Sequence, residues 1–175
     1  EDKWYFEIPD SLLGREFMAI TRFSKIAGGG GVYGGEEVNE VTMQWEKGPS
    51  NNLFLKVVNT ISVADSTNAI YKAVTNSNLY PIAAAFDIKA WSKDSLGSII
   101  DVTDFFKGDN QVVSVDPGTK KFLNLSMLAS DRSYIKNITT YPINTEIRTI
   151  KTFSSQPNFG FGSPFPSVTL PAASS

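Results

Sequence analysis

The chain contains no histidine and no cysteine, and this removes more chemistry than any motif in it supplies. Without imidazole there is no Ser-His-Asp triad and no histidine general base. Without thiolate there is no cysteine nucleophile and no disulfide. The common zinc sites, which mostly need His or Cys, go with them. Oxygen chemistry remains. Asp101 with Asp104, and Glu36 with Glu37, are the nearest carboxylate sets for glycoside hydrolysis. That reaction needs about 5 Å between carboxyl groups for retention and about 6.5–9.5 Å for inversion. Thr103-Asp104 is adequately explained as a helix cap. Asp104, Asp109 and Asn110 around Gly108 have the oxygen-rich composition of a calcium loop but lack its D-x-D-x-D-G spacing, so they read as a turn. Asn124-Leu125-Ser126 and Asn137-Ile138-Thr139 are glycosylation sequons, which act only in a eukaryotic secretory pathway. These residues assign no catalytic, cofactor-binding or metal-binding position.

Gly28-Gly29-Gly30-Gly31-Val32-Tyr33-Gly34-Gly35-Glu36-Glu37 is the most conspicuous stretch. Glycine-rich backbone can cradle a phosphate with its N–H groups. Here no Gly-Lys-Ser/Thr follows, and two carboxylates arrive where the anion would sit. The plain reading is a hairpin loop. The functional reading is a segment that packs Val32 and Tyr33 against another domain, since a loop this costly to order is retained for interaction or motion. The partner-contact candidates are Val32, Tyr33, Glu36 and Glu37, together with Phe159, Phe161 and Phe165 near the C-terminus. Among the other aromatics, Trp45 shares a strand face with Val41 and Met43 and reads as core, while Trp91 reads as a rim residue.

The elements that must position these residues follow a period of two. Val41, Met43 and Trp45 alternate with Thr42, Gln44 and Glu46. Ile82, Ala84, Phe86 and Ile88 share a face, and so do Leu123, Leu125 and Met127 within Lys121–Met127. Further strands are expected at 4–8, 16–23, 53–60, 69–74, 99–102, 111–115 and 134–140. The run 146–153 is apolar at Ile147, Ile150 and Phe153, a mixed period. Turns are expected at 48–52, 65–68, 107–110 and at Asp116-Pro117-Gly118. Single-turn helices are expected at 10–14, 103–108 and 130–135. The fold class is therefore mainly β: an antiparallel sheet, sandwich or partly open barrel with a few single-turn helices. Residues 1–153 form the β domain. Residues 154–175, uncharged and holding four of the nine prolines, form a Pro/Ser/Phe-rich tail or linker toward a domain beyond.

Composition sets the outer bounds. The 175 residues suit one domain with a sizeable core. Sixteen basic and eighteen acidic side chains leave a net charge of −2, which offers nothing to attract a nucleic acid. No apolar run reaches the ~20 residues of a transmembrane helix.

Several stretches, in order, carry a resemblance. They are Pro9-Asp10-Ser11-Leu12-Leu13-Gly14-Arg15-Glu16-Phe17, the loop 29–37, and Trp45-Glu46-Lys47-Gly48-Pro49. They continue with Ile70-Tyr71-Lys72-Ala73-Val74, Asn76-Ser77-Asn78, Phe86-Asp87-Ile88-Lys89-Ala90 and Asp101-Val102-Thr103-Asp104-Phe105-Phe106. Asp131-Arg132-Ser133-Tyr134-Ile135 and Tyr141-Pro142-Ile143-Asn144-Thr145-Glu146 close the set. Together they resemble the β-rich, uncharacterised region ahead of the catalytic domain in large bacterial zinc-dependent metalloproteases. The resemblance implies a non-catalytic accessory domain that supports, shields or extends a downstream catalytic domain of the same polypeptide. It also implies export to the periplasm, cell surface or exterior of a Gram-negative bacterium, with zinc held downstream by a metzincin-like HExxH motif. Such a motif needs two histidines and a glutamate, and this chain has no histidine to give it. The alternative is a stand-alone β binding module for carbohydrate or a surface partner; a carboxylate hydrolase is a third class.

Overall fold

Where apolar and polar residues alternate, the backbone pairs as strand, because only that geometry puts every second side chain on one face. The computed structural model of the chain describes residues 2–26, 31–58, 79–155 and 170–174, the last as backbone alone. Among the described residues it is mainly β, with two short helices. The strands are β1 (Tyr5–Pro9), β2 (Glu16–Ile26), β3 (Glu37–Lys47), β4 (Asn52–Val57), β5 (Ile82–Trp91) and β6 (Gly97–Asp101). They continue with β7 (Leu125–Leu128), β8 (Tyr134–Thr140), β9 (Thr145–Ser155) and β10 (Leu170–Ser174). The helices are α1 (Thr103–Lys107) and α2 (Pro117–Phe122), and single 3-10 turns occupy Asp10–Leu12 and Ser130–Arg132. The expected strand at 69–74 and turn at 65–68 lie outside the described residues.

The chain divides into two compact units, Glu1–Ala19 with Val41–Val102, and Ile20–Glu40 with Thr103–Ser175. The divisions fall inside β2 and β3. In the first unit, strands run in the order β1-β6-β5-β4-β3-β2 as an antiparallel sheet curled into a half-barrel. Bulges between Leu55 and Lys56 and between Ile88 and Ala90 add the local twist that curls a sheet. Trp45 is the core residue its alternation indicates. Its ring stacks on Phe17 at 6.1 Å and tilts against Phe86 at 5.6 Å. Ile8, Met43, Leu53, Leu55 and Ile100 are buried in the same unit.

In the second unit β10 pairs with β2 on one side and β9 on the other, while β7 and β8 both pair with β9. Pro166–Pro171 reads as a strand without an obvious partner; the partners of its last residues are Phe153 and Thr152. Phe23, Val38, Val115, Leu123, Leu125 and Phe153 form the core cluster, with Ile26, Val32 and Leu128 packed against it. Full burial of such a side chain contributes about 1.5–3 kcal/mol.

Two local expectations are corrected. Asp116-Pro117-Gly118 is not a reversal but the start of α2. The Asp116 carboxylate accepts from the Gly118 and Thr119 amides at 2.7 and 3.1 Å, and Pro117 occupies the first turn, where a missing N–H costs nothing. The Thr119 side chain, followed by the amides, holds the Asp116 carboxyl below its usual range against the burial that raises it. The continuous strand expected over 121–127 is thereby cut to Leu125–Leu128: Leu123 and Leu125 are buried, but Met127 is 76% exposed. The strand expected at 111–115 is absent too, for a reason given below.

The register of β7 is directly testable. Leu125→Ala should lower unfolding stability in urea by about 2–5 kcal/mol, and Met127→Ala by no more than about 0.5 kcal/mol. Equal losses at the two positions would contradict the arrangement.

Candidate functional site

Four of the seven partner-contact candidates fall within the described residues, all in the second unit. Gly34 and Gly35 let the chain turn closely against β2. A side chain on Gly34 would stand 2.8 Å from the Ser24 carbonyl oxygen, and Gly35 has φ +95°. The Gly35 amide donates to the Phe23 carbonyl and the Phe23 amide to that of Glu36. The Tyr33 amide donates to Glu36 Oε2 at 3.0 Å, and Arg22 pairs with Glu37 at 2.7 Å. Both glutamates therefore hold the turn. Val32 is partly buried against the core cluster. Tyr33 is 75% exposed. Beside this segment stands Phe122, 70% exposed, its ring edge 3.8 Å from where a Gly31 side chain would begin. Nothing in the sequence around Phe122 singles it out. Phe159, Phe161 and Phe165 lie outside the described residues.

The carboxylates considered for hydrolysis or calcium have other engagements. Asp101 pairs with Lys3 at 3.0 Å. Asp104 lies in the first turn of α1, where a carboxylate complements the helix dipole. Asn110 donates to the Phe105 carbonyl at 2.7 Å and accepts from the Val112 and Val113 amides at 3.0 Å. No group of three or more acidic, His or Cys side chains converges among the described residues. Trp91, in the first unit, is 49% exposed. Lys47 stands 5.7 Å from its ring centroid while pairing with Asp10, so one face of the indole carries a cation.

The strongest electrostatic feature was not anticipated from sequence. Residues 108–115 form a loop whose Val112, Ser114 and Val115 are buried, and a buried loop must find partners for its backbone carbonyls. Two side chains supply them. Lys151 on β9 donates from Nζ to the Gly108 carbonyl and, at 2.9 Å, to that of Val113. Asn39 on β3 donates from its amide to the carbonyls of Gln111, Val112 and Ser114 at 2.8, 3.2 and 3.3 Å. Side chains thus replace the ladder, which is why 111–115 is not a strand. Asp109 binds Lys120 through both oxygens at 2.6 and 2.8 Å, and Lys120 stands 5.6 Å from the Phe153 ring centroid. Burial pushes the Lys151 ammonium down to about 8; Asp109 opposes the shift and Lys120 adds to it. An amine with a pKa near neutrality is chemically a general base or nucleophile. At 1% exposure, and committed to two carbonyls, Lys151 acts here as a structural donor. Period-two counting back from Phe153 places Thr149 and Lys151 on the core face, a signal the mixed period at Ile147, Ile150 and Phe153 hides.

Comparison with known proteins gives two family matches. A model described as a domain of unknown function, DUF5117, matches residues 35–175. A second, described as a domain of unknown function, DUF5118, matches residues 1–26. No curated protein matches, and no solved structure does.

The lysine clamp has a pH signature with a definite sign. The folded pKa of about 8 lies below the ordinary 10.5, so between these values the unfolded chain binds more protons and stability rises with pH. Below about 8 both states are protonated, and the buried charge costs about 3 kcal/mol. Urea unfolding of the wild type and Lys151→Met should show the wild type gaining about 3 kcal/mol on the variant from pH 8 to 10.5. A difference that stays flat or falls across this range would contradict the buried, depressed lysine.

Proposed function

We propose, for a chain that belongs to the DUF5117 family of domains of unknown function, a non-catalytic role as a docking domain within a larger exported polypeptide. Its partner is a catalytic domain of zinc-metalloprotease type, which this domain supports, shields or extends. The resemblance of the sequence stretches that follow one another from Pro9 to Glu146 supports that partner. The observation that carries docking is a pair of exposed aromatics: Tyr33, on a turn fixed by Glu36, Glu37 and Arg22 and backed by the buried core, and Phe122, which ends α2 beside Gly31 of the same segment. Exposed tyrosine and phenylalanine cost the free domain little order and give a partner large apolar area, the combination that makes interface anchors. In this reading zinc is held by the partner domain. The proposed setting is the periplasm or cell surface of a Gram-negative bacterium; no helix among the described residues is long and apolar enough to cross a membrane.

The test uses the full-length polypeptide. Tyr33→Ser with Phe122→Ser removes the anchors while changing this domain's own stability by no more than about 0.5 kcal/mol per site. The junction between this domain and the catalytic domain should then be cleaved by a low dose of trypsin at least about tenfold faster, as expected for about 1.4 kcal/mol or more of lost contact. An unchanged cleavage rate would contradict docking at this surface. Residues 1–175 alone, supplied with zinc, should cleave no denatured protein substrate. Cleavage that survives contaminant controls and tracks the purified chain would overturn the non-catalytic assignment.

A further inference from the structure

The two family matches split at residues 27–34, between β2 and β3. The hydrogen bonds and the cores do not split there. We propose that residues 1–26 are an intramolecular strand donor for the region 35–175. The two regions then form a single folding module, and the larger one presents open strand edges whose occupant is this segment.

Within the first unit, β1 covers the edge of β6 in register from Tyr5↔Asp101 to Pro9↔Gly97, and buries Ile8 to 5% exposure. Its flanks are fastened as well. The Val102 amide donates to the Trp4 carbonyl at 3.0 Å, the Asp10 amide to Leu96 at 2.8 Å and the Gly14 amide to Trp45 at 2.9 Å. Phe17 supplies the ring stacked on Trp45. Within the second unit, β2 pairs with β10 through Ile26↔Ala172, Lys25↔Ala173 and Phe23↔Ser174. Phe23 is fully buried, and every other member of its core cluster comes from the longer region: Val38, Val115, Leu123, Leu125 and Phe153.

Donor and acceptor are matched chemically. The acceptor needs an extended chain that alternates buried and exposed side chains, and β2 gives Thr21 and Phe23 on the buried face, Phe23 filling the core, with Arg22 and Ser24 on the exposed one. Without the segment, the region 35–175 exposes the ladder edge of β6 and loses the aromatic centre of one core. Open edges of this kind pair with whatever strand is at hand, so the isolated region is an aggregation hazard. Addition of a strand to a sheet edge, with a side chain seated in a pocket, is also an established mode of peptide binding. The peptide bond chain between Ile26 and Gly31 is then dispensable once the module has folded.

The experiment keeps the whole chain. A protease recognition sequence is inserted between Ile26 and Gly31, the folded protein is cut, and the product is followed by size-exclusion chromatography, mass spectrometry and thermal unfolding. Strand donation predicts that the cut protein elutes as one 1:1 complex, unfolds in one transition, and releases the 1–26 segment only on denaturation. Phe23→Ala should raise the release rate about a hundredfold or more, as a lost core phenylalanine implies. If the alanine variant does not fold before cutting, Phe23→Leu takes its place and should release faster than the wild type. Ser24→Ala, on the exposed face, should leave release unchanged. Prompt loss of the segment, with the remainder keeping its original transition, would overturn the proposal. So would release rates that do not respond to the residue at position 23.

Discussion

A buried loop without a strand partner sets the terms for the second unit. Residues 108–115 lie against the core with Val112 and Ser114 at 1% exposure, and their carbonyls are answered by Lys151 and Asn39. An unmet carbonyl at this depth costs about 1–3 kcal/mol, so each of these bonds matters more than its net strength suggests. Two strands far apart in sequence thereby fix the loop. The loop in turn delivers Val115 to the cluster of Phe23, Leu123 and Phe153, and ends at Asp116, the cap from which α2 begins. Charge follows the same logic. Asp109 pairs with Lys120 and also acts on Lys151, so the burial of one cation is partly offset by the carboxylate that binds the other. Groups that could do acid–base work on an open surface are here used to close a core.

Most strands were legible because their alternation is clean. Met43, Trp45 and Phe86 show their faces in the residue types alone and are buried accordingly, whereas Ile82, expected on the face of Phe86, is 51% exposed at the start of β5. What could not be read was backbone satisfied by side chains. Residues 111–115 carry three valines and look like a strand, yet Asn110 bonds the Val112 and Val113 amides and bends the chain into a turn. Nothing local announces that Asn39 and Lys151 will take the carbonyls. Residues 116–118 are ambiguous for a simpler reason: Asp-Pro serves both a turn and a helix start, and only the bonds to Gly118 and Thr119 choose between them. On the candidate surface, the glycines and Tyr33 stood out in the sequence. Phe122 did not, because it sits in what looked like a strand and becomes exposed only when that stretch ends a helix.

These features bear on function together. Glu36 and Glu37, read from the sequence as contact residues, hold the turn from below. Tyr33 and Phe122 remain outward. The proposed division of labour is thus internal to the segment: carboxylates and Arg22 give rigidity, and aromatics give contact area. Preorganisation of this kind lowers the entropy lost on docking. The strand that fills the core with Phe23 and the turn that presents Tyr33 are joined by the Phe23–Gly35 and Phe23–Glu36 backbone bonds. Any loosening of β2 therefore reaches the proposed contact surface.

The central claim is that this surface meets another domain of the same polypeptide. It is tested most directly by placing a photoreactive benzoylphenylalanine at position 122 of the full-length protein, irradiating it, and mapping the cross-links by mass spectrometry. The account predicts intramolecular cross-links from position 122 to peptides of the proposed catalytic domain, which the same probe at exposed position 127 does not give. Cross-links from position 122 only to residues 1–175, or only to solvent, would contradict it.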